Sequence, residues 1–221
     1  MVMKTKKKIV RRNADETRAR ILEKATGLFA ESGFAGTPIS EIIKASKVNQ
    51  RMVYHYFGDK EGLYRAVFVE QWSLLKVWFD QALQARLNIP QPKPLTSREL
   101  LLQALEISFD FLATNQGFVR LMMWEGLEGG HVSRSIWKDV RGPLFAQIEF
   151  LAKEAQREGL LDPSIDTAHL IISFLGVISF YFAYSSTLHD MLKQDPLSEK
   201  GLKERKEQVI KLLSGIMRMQ V

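Results

Sequence analysis

The run Thr37-Pro38-Ile39-Ser40-Glu41-Ile42-Ile43-Lys44-Ala45, followed across Ser46-Lys47 by Val48-Asn49-Gln50-Arg51-Met52-Val53-Tyr54-His55-Tyr56-Phe57, decides how this chain is read. Ile39, Ile42 and Ile43 recur with a helical period. Thr37 with Pro38 reads as a cap and first turn, where proline's missing N–H costs nothing. Ser46-Lys47-Val48 falls off that apolar face, and Asn49 is a good cap for a second helix ending near Phe57. Two short helices joined by a tight turn are predicted. In the second, Val48, Val53 and Phe57 suit an inner face, while Asn49, Gln50, Arg51, Met52, Tyr54, His55 and Tyr56 supply a polar, aromatic and basic outer set. A helix that enters the major groove while locked to its supports needs that division. Core packing of amphipathic rings is the alternative for Tyr54 and Tyr56.

On the N-terminal side, Asn13 with Glu16 can cap a helix from about Ala14 to Ser32, striped by Ile21, Ala25, Leu28 and Phe29 and closed by Gly33. On the C-terminal side, Gly58-Asp59 breaks the chain before a long helix from about Lys60 to Leu87. Asn88 to Ser97 carries Pro90, Pro92 and Pro94 and reads as an extended connection. Thr96 with Glu99 is a capping box for a helix to about Asn115. A short helix near Phe118 to Leu127 follows, then a break at Gly129-Gly130, a helix through Trp137 that Pro143 kinks or restarts and Gly159 closes, and two last helices, about Asp166 to Leu188 and Ser198 to Met219. No alternating strand pattern interrupts this series, so the fold class is all-α.

The charge is as uneven as the polarity. The chain of 221 residues carries net +6, yet residues 1–60 hold 13 Lys and Arg against six Asp and Glu, and the remainder is close to neutral. A local positive excess is the footprint of a module that neutralises phosphates. Part of it lies in a basic tail, residues 1–13, read as disordered rather than as a DNA-reaching arm. There is no cysteine, which excludes disulfides, thiolate metal sites and thiol nucleophiles. No apolar run follows the N-terminal lysines, so nothing reads as a secretory signal, and the cytoplasm is the expected compartment. Leu170 to Leu188 is uncharged and nearly long enough to cross a bilayer, but its serines and Gly176 fit a helix buried on nearly all sides better. No membrane partner is expected.

With these residues in view, the stretch from about 14 to 68 resembles the DNA-binding domain of the TetR, or tetracycline-repressor-like, family. The Tyr54-His55-Tyr56-Phe57 run followed by Lys60 is the specific part of the likeness. The resemblance implies that Thr37 and Lys60, at helix starts, grip phosphates. Gln50 and Arg51 would bond base edges, Met52 would touch a thymine methyl, and Tyr54, His55 and Tyr56 would contact phosphate or sugar. Arg51 stands where the family commonly has a small residue or Pro, and Met52 where Thr or Ser is common, so a usual hydroxyl contact is lost and the operator sequence does not follow.

The resemblance implies three divisions: the tail (1–13), a helix-turn-helix DNA-binding domain (14–60), and a ligand-binding and dimerisation domain (61–221). The Arg120-Leu121-Met122-Met123-Trp124-Glu125 stretch and the Phe180-Tyr181-Phe182-Ala183 run resemble the subgroup containing pyrimidine-responsive regulators. Among the domain's many large side chains, Trp78, Phe109, Met123, Trp124, Phe145, Phe174 and Tyr181 are the candidates to line an effector cavity. Glu125 and His169 are candidate polar contacts, though each suits a surface or cap position at least as well. Ile171, Leu175, Ile178 and Phe182 on one late helix, and Val209, Leu212, Leu213 and Ile216 on the next, leave more apolar surface than one chain can cover, so a two-fold interface through these helices is expected.

The expected partners are double-stranded operator DNA, a small-molecule effector and a second copy of the chain. No cofactor or metal is expected. A regulator without an effector is the nearest rival. An α-helical enzyme is the remote one, since no phosphate-binding glycine loop, nucleophile elbow or metal-ligand spacing among His55, His131, His169 and His189 is present.

Overall fold

The computed structural model describes the backbone of residues 2–87 and 94–216, and side chains of 14–85 and 94–216. All described elements are helical apart from turns: α1 (Val2–Gly36), α2 (Ile39–Ser46), α3 (Gln50–Phe57), α4 (Lys60–Leu87), α5 (Ser97–Thr114), α6 (Gln116–Leu127), α7 (His131–Ser135), a π-helical turn (Trp137–Arg141), α8 (Gly142–Arg157), α9 (Thr167–Ala183), α10 (Ser185–Leu192) and α11 (Glu199–Ile216). Against the expectation of a disordered tail over residues 1–13, the described backbone of residues 2–13 is helical and continuous with the rest of α1, whereas most of the proline-rich connection lies outside the described residues.

The chain forms two compact units. The first comprises Met1–Gln71 and Arg120–Ile136, and the second comprises Trp72–Val119 and Trp137–Val221. The first therefore holds the three N-terminal helices and the start of α4, and it also takes in the C-terminal part of α6 with α7. Its core is an aromatic stack. Tyr64 meets Phe29 edge-on at 4.8 Å, Phe68 at 4.9 Å and Phe34 at 5.1 Å, and Phe29 and Phe68 are fully buried. Burial of rings this size contributes roughly 1.5–3 kcal/mol each.

The second unit packs α5, α8, α9 and α11 around Leu101, Leu105, Phe109, Ala152, Leu161, Ile178, Phe182, Val209 and Leu213. The capping box at the start of α5 forms as the sequence predicts. Thr96 accepts the N–H of Glu99, and the Glu99 carboxylate accepts the N–H of Thr96.

Three further expectations are corrected. Thr37 does not cap α2. Pro38 occupies that position, and the Thr37 hydroxyl donates backward to the Gly33 carbonyl at 2.7 Å. The single helix expected over Asp166 to Leu188 is two helices, α9 and α10, bent by 85° at Tyr184, and no single described helix is long and apolar enough to cross a membrane. Nor is α9 buried on nearly all sides, because Ile172, Phe180 and Tyr184 are each more than half exposed. Near Pro143 the helix restarts, one of the two outcomes the sequence offers: the chain widens into the π-helical turn, and Pro143 sits in the first turn of α8.

Candidate nucleic-acid interface

α2 and α3 are set by a few local choices. Ser46 is fully buried, and its hydroxyl donates to the Ile42 carbonyl at 2.6 Å, closing α2 from within. Lys47 then takes a left-handed conformation, φ 53°, and turns the chain. Asn49 caps α3 by accepting the Met52 N–H at 2.9 Å. From α1, the Arg20 side chain donates to the Ser46 carbonyl at 2.9 Å, and the Arg18 guanidinium lies 5.3 Å from the centre of the Phe57 ring. Val53 is fully buried. At the far end, Asp59 caps α4 by accepting the Gly62 N–H at 2.7 Å.

Gly62, in the first turn of α4, lies against the last residue of α3. A Cβ there would stand 2.0 Å from the Phe57 carbonyl oxygen, so no other residue fits without moving the end of α3.

These supports leave Gln50, Arg51, Tyr54 and His55 exposed on one face of α3, at the i, i+1, i+4, i+5 spacing. The Gln50 amide lies 3.4 Å from the Tyr54 hydroxyl, a long contact that leaves both groups available. Asn49 is exposed, but its oxygen is engaged as the cap. Met52 and Tyr56 are half-buried, with the Tyr56 ring 5.3 Å from that of His55. Thr37 is 1% exposed, which removes its hydroxyl from the groups offered to a phosphate. The Lys60 ammonium lies 4.5 Å from the centre of the Phe34 ring, and partial burial lowers its pKa while Glu128 pulls the other way. Lys44 and Lys47 add two exposed cations beside the turn that residue typing passed over.

The other end of this unit carries a contact the sequence did not suggest. The Glu128 carboxylate accepts the backbone N–H of Phe34 at 3.0 Å and of Ala35 at 2.9 Å. Gly33, at φ 70°, brings the chain against Trp124, where an added Cβ would lie 2.8 Å from the indole. Glu125 is buried and accepts the Ser133 N–H at 2.7 Å.

The seven candidate effector residues are not brought together. Met123 and Trp124 belong to the first unit. Phe109 and Tyr181 are core. Phe109 packs on Phe182, and the Tyr181 hydroxyl donates to the Pro196 carbonyl at 2.7 Å. Trp78 leans on Phe111, and Phe145 lies against Trp72 and Trp137. Of the seven only Phe174 lines a small apolar cavity in the second unit, which holds about 60 Å³ between Leu101, Leu105, Ile148, Leu170 and Leu213, and none lines the larger cleft of about 430 Å³ between Phe79, Leu83, Pro143 and Phe150. Of the two candidate polar groups, His169 is exposed in the first turn of α9.

A short, well-anchored helix presenting amide, guanidinium, phenol and imidazole groups, on the basic part of the chain, defines a helix-turn-helix DNA-binding protein. Residues 21–67 match the profile described as "Bacterial regulatory proteins, tetR family", and residues 98–213 match "Tetracyclin repressor-like, C-terminal domain". The chain belongs to the TetR family of transcriptional regulators. It is 29% identical over 204 residues to the HTH-type transcriptional repressor NicS of Pseudomonas putida, spanning 91% of this chain and 92% of that one. The HTH-type transcriptional repressor SCO4008 of Streptomyces coelicolor is 25% identical over 169 residues, 76% of this chain and 80% of its own. In fold, the chain resembles the ketosteroid transcriptional regulator KstR2 of Mycobacterium tuberculosis, with a TM-score of 0.68, 15% identity, and coverage of 92% and 95%. None of these likenesses supports the pyrimidine-responsive subgroup.

Proposed function

We propose that the chain is a repressor that binds a palindromic operator as a homodimer and is released by a small apolar or aromatic effector. The observation that carries the operator reading is the exposed row Gln50, Arg51, Tyr54, His55 on a helix whose opposite face is locked by Val53 and Arg18. Arg51 reads a guanine, Gln50 an adjacent base, and Tyr54, His55 and Tyr56 hold the backbone. Lys60 and the amides at the start of α4 add phosphate contacts, joined by Lys44 and Lys47. Residues 14–60 are the reading part and 61–221 the receiving part, with α4 continuous across that division.

Exposed Ile172 and Phe180 on α9, and Leu212 on α11, support the dimer reading, since single apolar side chains in water on adjacent late helices suit burial against a second copy. For the effector, the cavity around Phe174 offers almost no polar surface. Its one hydroxyl, on Ser108, already donates to the Ala104 carbonyl at 2.7 Å. A neutral apolar guest fits that lining, and at about 60 Å³ it must part the walls to enter, which links occupancy to shape. The small volume of this cavity, taken by itself, favours the second reading, a regulator with no effector. Both descend from the repressors NicS and SCO4008 only by likeness.

The test is selection of bound sequences from random duplex DNA by the full chain at stated salt, beside an Arg51→Ala variant. A palindrome, relaxed at one symmetric position in the variant, supports the reading. Salt-sensitive binding with no sequence preference overturns it.

A further inference from the structure

The opening turns of α1 carry Lys4, Lys6, Lys7, Lys8, Arg11 and Arg12, and no Asp or Glu precedes Asp15. At about 100° per residue, Lys4, Lys7 and Arg11 share one stripe of the helix and Lys8 and Arg12 flank it, while Lys6 falls on the far face with Val2, Ile9 and Val10. Like charges stand at i, i+4 spacing three times, Lys4 with Lys8, Lys7 with Arg11 and Lys8 with Arg12. They do so at the end of a helix where the macrodipole already disfavours cations. The backbone is helical there all the same, and a polyanion laid along the stripe relieves both costs.

A second, independent observation is where this stripe sits on the unit. Arg18 continues it two turns beyond Arg11, and the Arg18 guanidinium lies 5.3 Å from the centre of the Phe57 ring, at the end of α3. Arg20 donates to the Ser46 carbonyl, just before α3. The opposite end of α1 is held by Glu128, which accepts the Phe34 and Ala35 amides. Residues 18–20 of α1 thus support α3, and the turns before them project from the end of the unit that presents it. Ahead of Ala14 the helix runs on for about 18 Å, the rise of its twelve residues, a length matched by about five phosphates along one DNA strand.

We propose that residues 2–13 are a helical arm that lies on the DNA backbone beside the groove entered by α3, with Lys4, Lys7 and Arg11 on phosphates and no base read. The inference rests on the operator reading of α3 and extends it by contacts that carry no sequence information. Such contacts set affinity and salt dependence and leave the preferred sequence alone. The positions of Val2, Ile9 and Val10 would also suit an anionic membrane surface, but the alignment of the stripe with Arg18 and α3 favours DNA.

The experiment follows binding of the full chain to its selected operator duplex by fluorescence anisotropy, across salt from about 50 to 200 mM. The variants are Lys7→Gln, Lys6→Gln and the triple Lys4→Gln, Lys7→Gln, Arg11→Gln. Lys7→Gln and Lys6→Gln remove the same charge from neighbouring positions on different faces. Lys7→Gln lowers the slope of log K against log salt by about one per chain, and Lys6→Gln leaves it in place. The triple variant lowers it by about three per chain, weakens binding by about tenfold or more, and still selects the wild-type palindrome. Equal effects of Lys6→Gln and Lys7→Gln, the mark of a tail acting through charge alone, overturn the proposal. An unchanged slope in the triple variant, an altered palindrome, or loss of binding to phosphatidylserine vesicles with DNA affinity intact overturns it too. If the wild type selects no palindrome, the operator reading fails by itself, and the same slopes on random duplex DNA still decide the arm.

Discussion

Glu128 reaches across 94 positions of sequence to accept the amide of Phe34, and the amide of Ala35 beside it. The last turn of α1 is thereby tied to the segment after α6, one residue pair upstream of the helix-turn-helix. Replacing Glu128 by Ala leaves the partly buried Phe34 N–H and the exposed Ala35 N–H without their acceptor. The expected loss is about 1–3 kcal/mol of stability, with Glu128→Gln intermediate. Urea unfolding followed by circular dichroism measures it, and a wild-type midpoint in the Ala variant contradicts it.

Thr37 separates two roles that residue type alone confuses. Its hydroxyl serves the Gly33 carbonyl at 2.7 Å, so Thr37→Val lowers stability by about 1–2 kcal/mol. Thr37→Ser keeps the bond. Neither changes the slope of log K against log salt in DNA binding, whereas Lys60→Gln reduces that slope by about one if Lys60 meets a phosphate. A reduced slope in Thr37→Val returns that hydroxyl to the phosphate contacts.

Gly62→Ala is predicted to be among the most damaging small substitutions in the first unit. The new methyl would start 2.0 Å from the Phe57 carbonyl oxygen, which is backbone and cannot swing aside. Loss of DNA binding, with a fall in stability of about 2–4 kcal/mol, is expected. Gly27→Ala is the control, because no atom lies within 4 Å of its Cβ position.

Alkaline pH probes the two buried phenols. Tyr64 and Tyr181 are both raised above the ordinary value of 10.0, burial being the first cause. The folded chain favours the neutral ring, so this contribution is complete below the unfolded value and is lost as the pH climbs through it towards the folded one. Stability therefore declines above about pH 10. Tyr181→Phe removes part of that decline while losing the bond to Pro196, and a pH dependence identical to wild type would refute the assignment.

Much of the reading unit was legible before folding, because its signals are local. The cap at Asn49, the turn at Ser46-Lys47 and the exposed row on α3, like the cap at Thr96 in the second unit, all depend on residues within five positions of one another. Thr37 misled for a related reason. A threonine before proline has the form of a cap, and only the path of α1 through Gly33 shows the carbonyl that takes its hydroxyl instead. Glu128 was invisible because its partners are backbone amides far along the chain, which carry no residue signature. Tyr64 gave no signal either, since an aromatic on an apolar stripe reads as core. The effector candidates were chosen by size, and large side chains in a helical unit mostly fill space. Phe109 and Tyr181 do so, while the cavity is walled by ordinary leucines, isoleucines and alanines.

The four exposed side chains of α3 stand apart from the groups that hold the helix in place. Val53, Ser46, Arg20 and Asn49 fix where α3 lies, and none of Gln50, Arg51, Tyr54 or His55 is among them. A lineage descended from this protein can thus change which promoter it recognises by altering the outward letters alone, keeping a sound fold at every step.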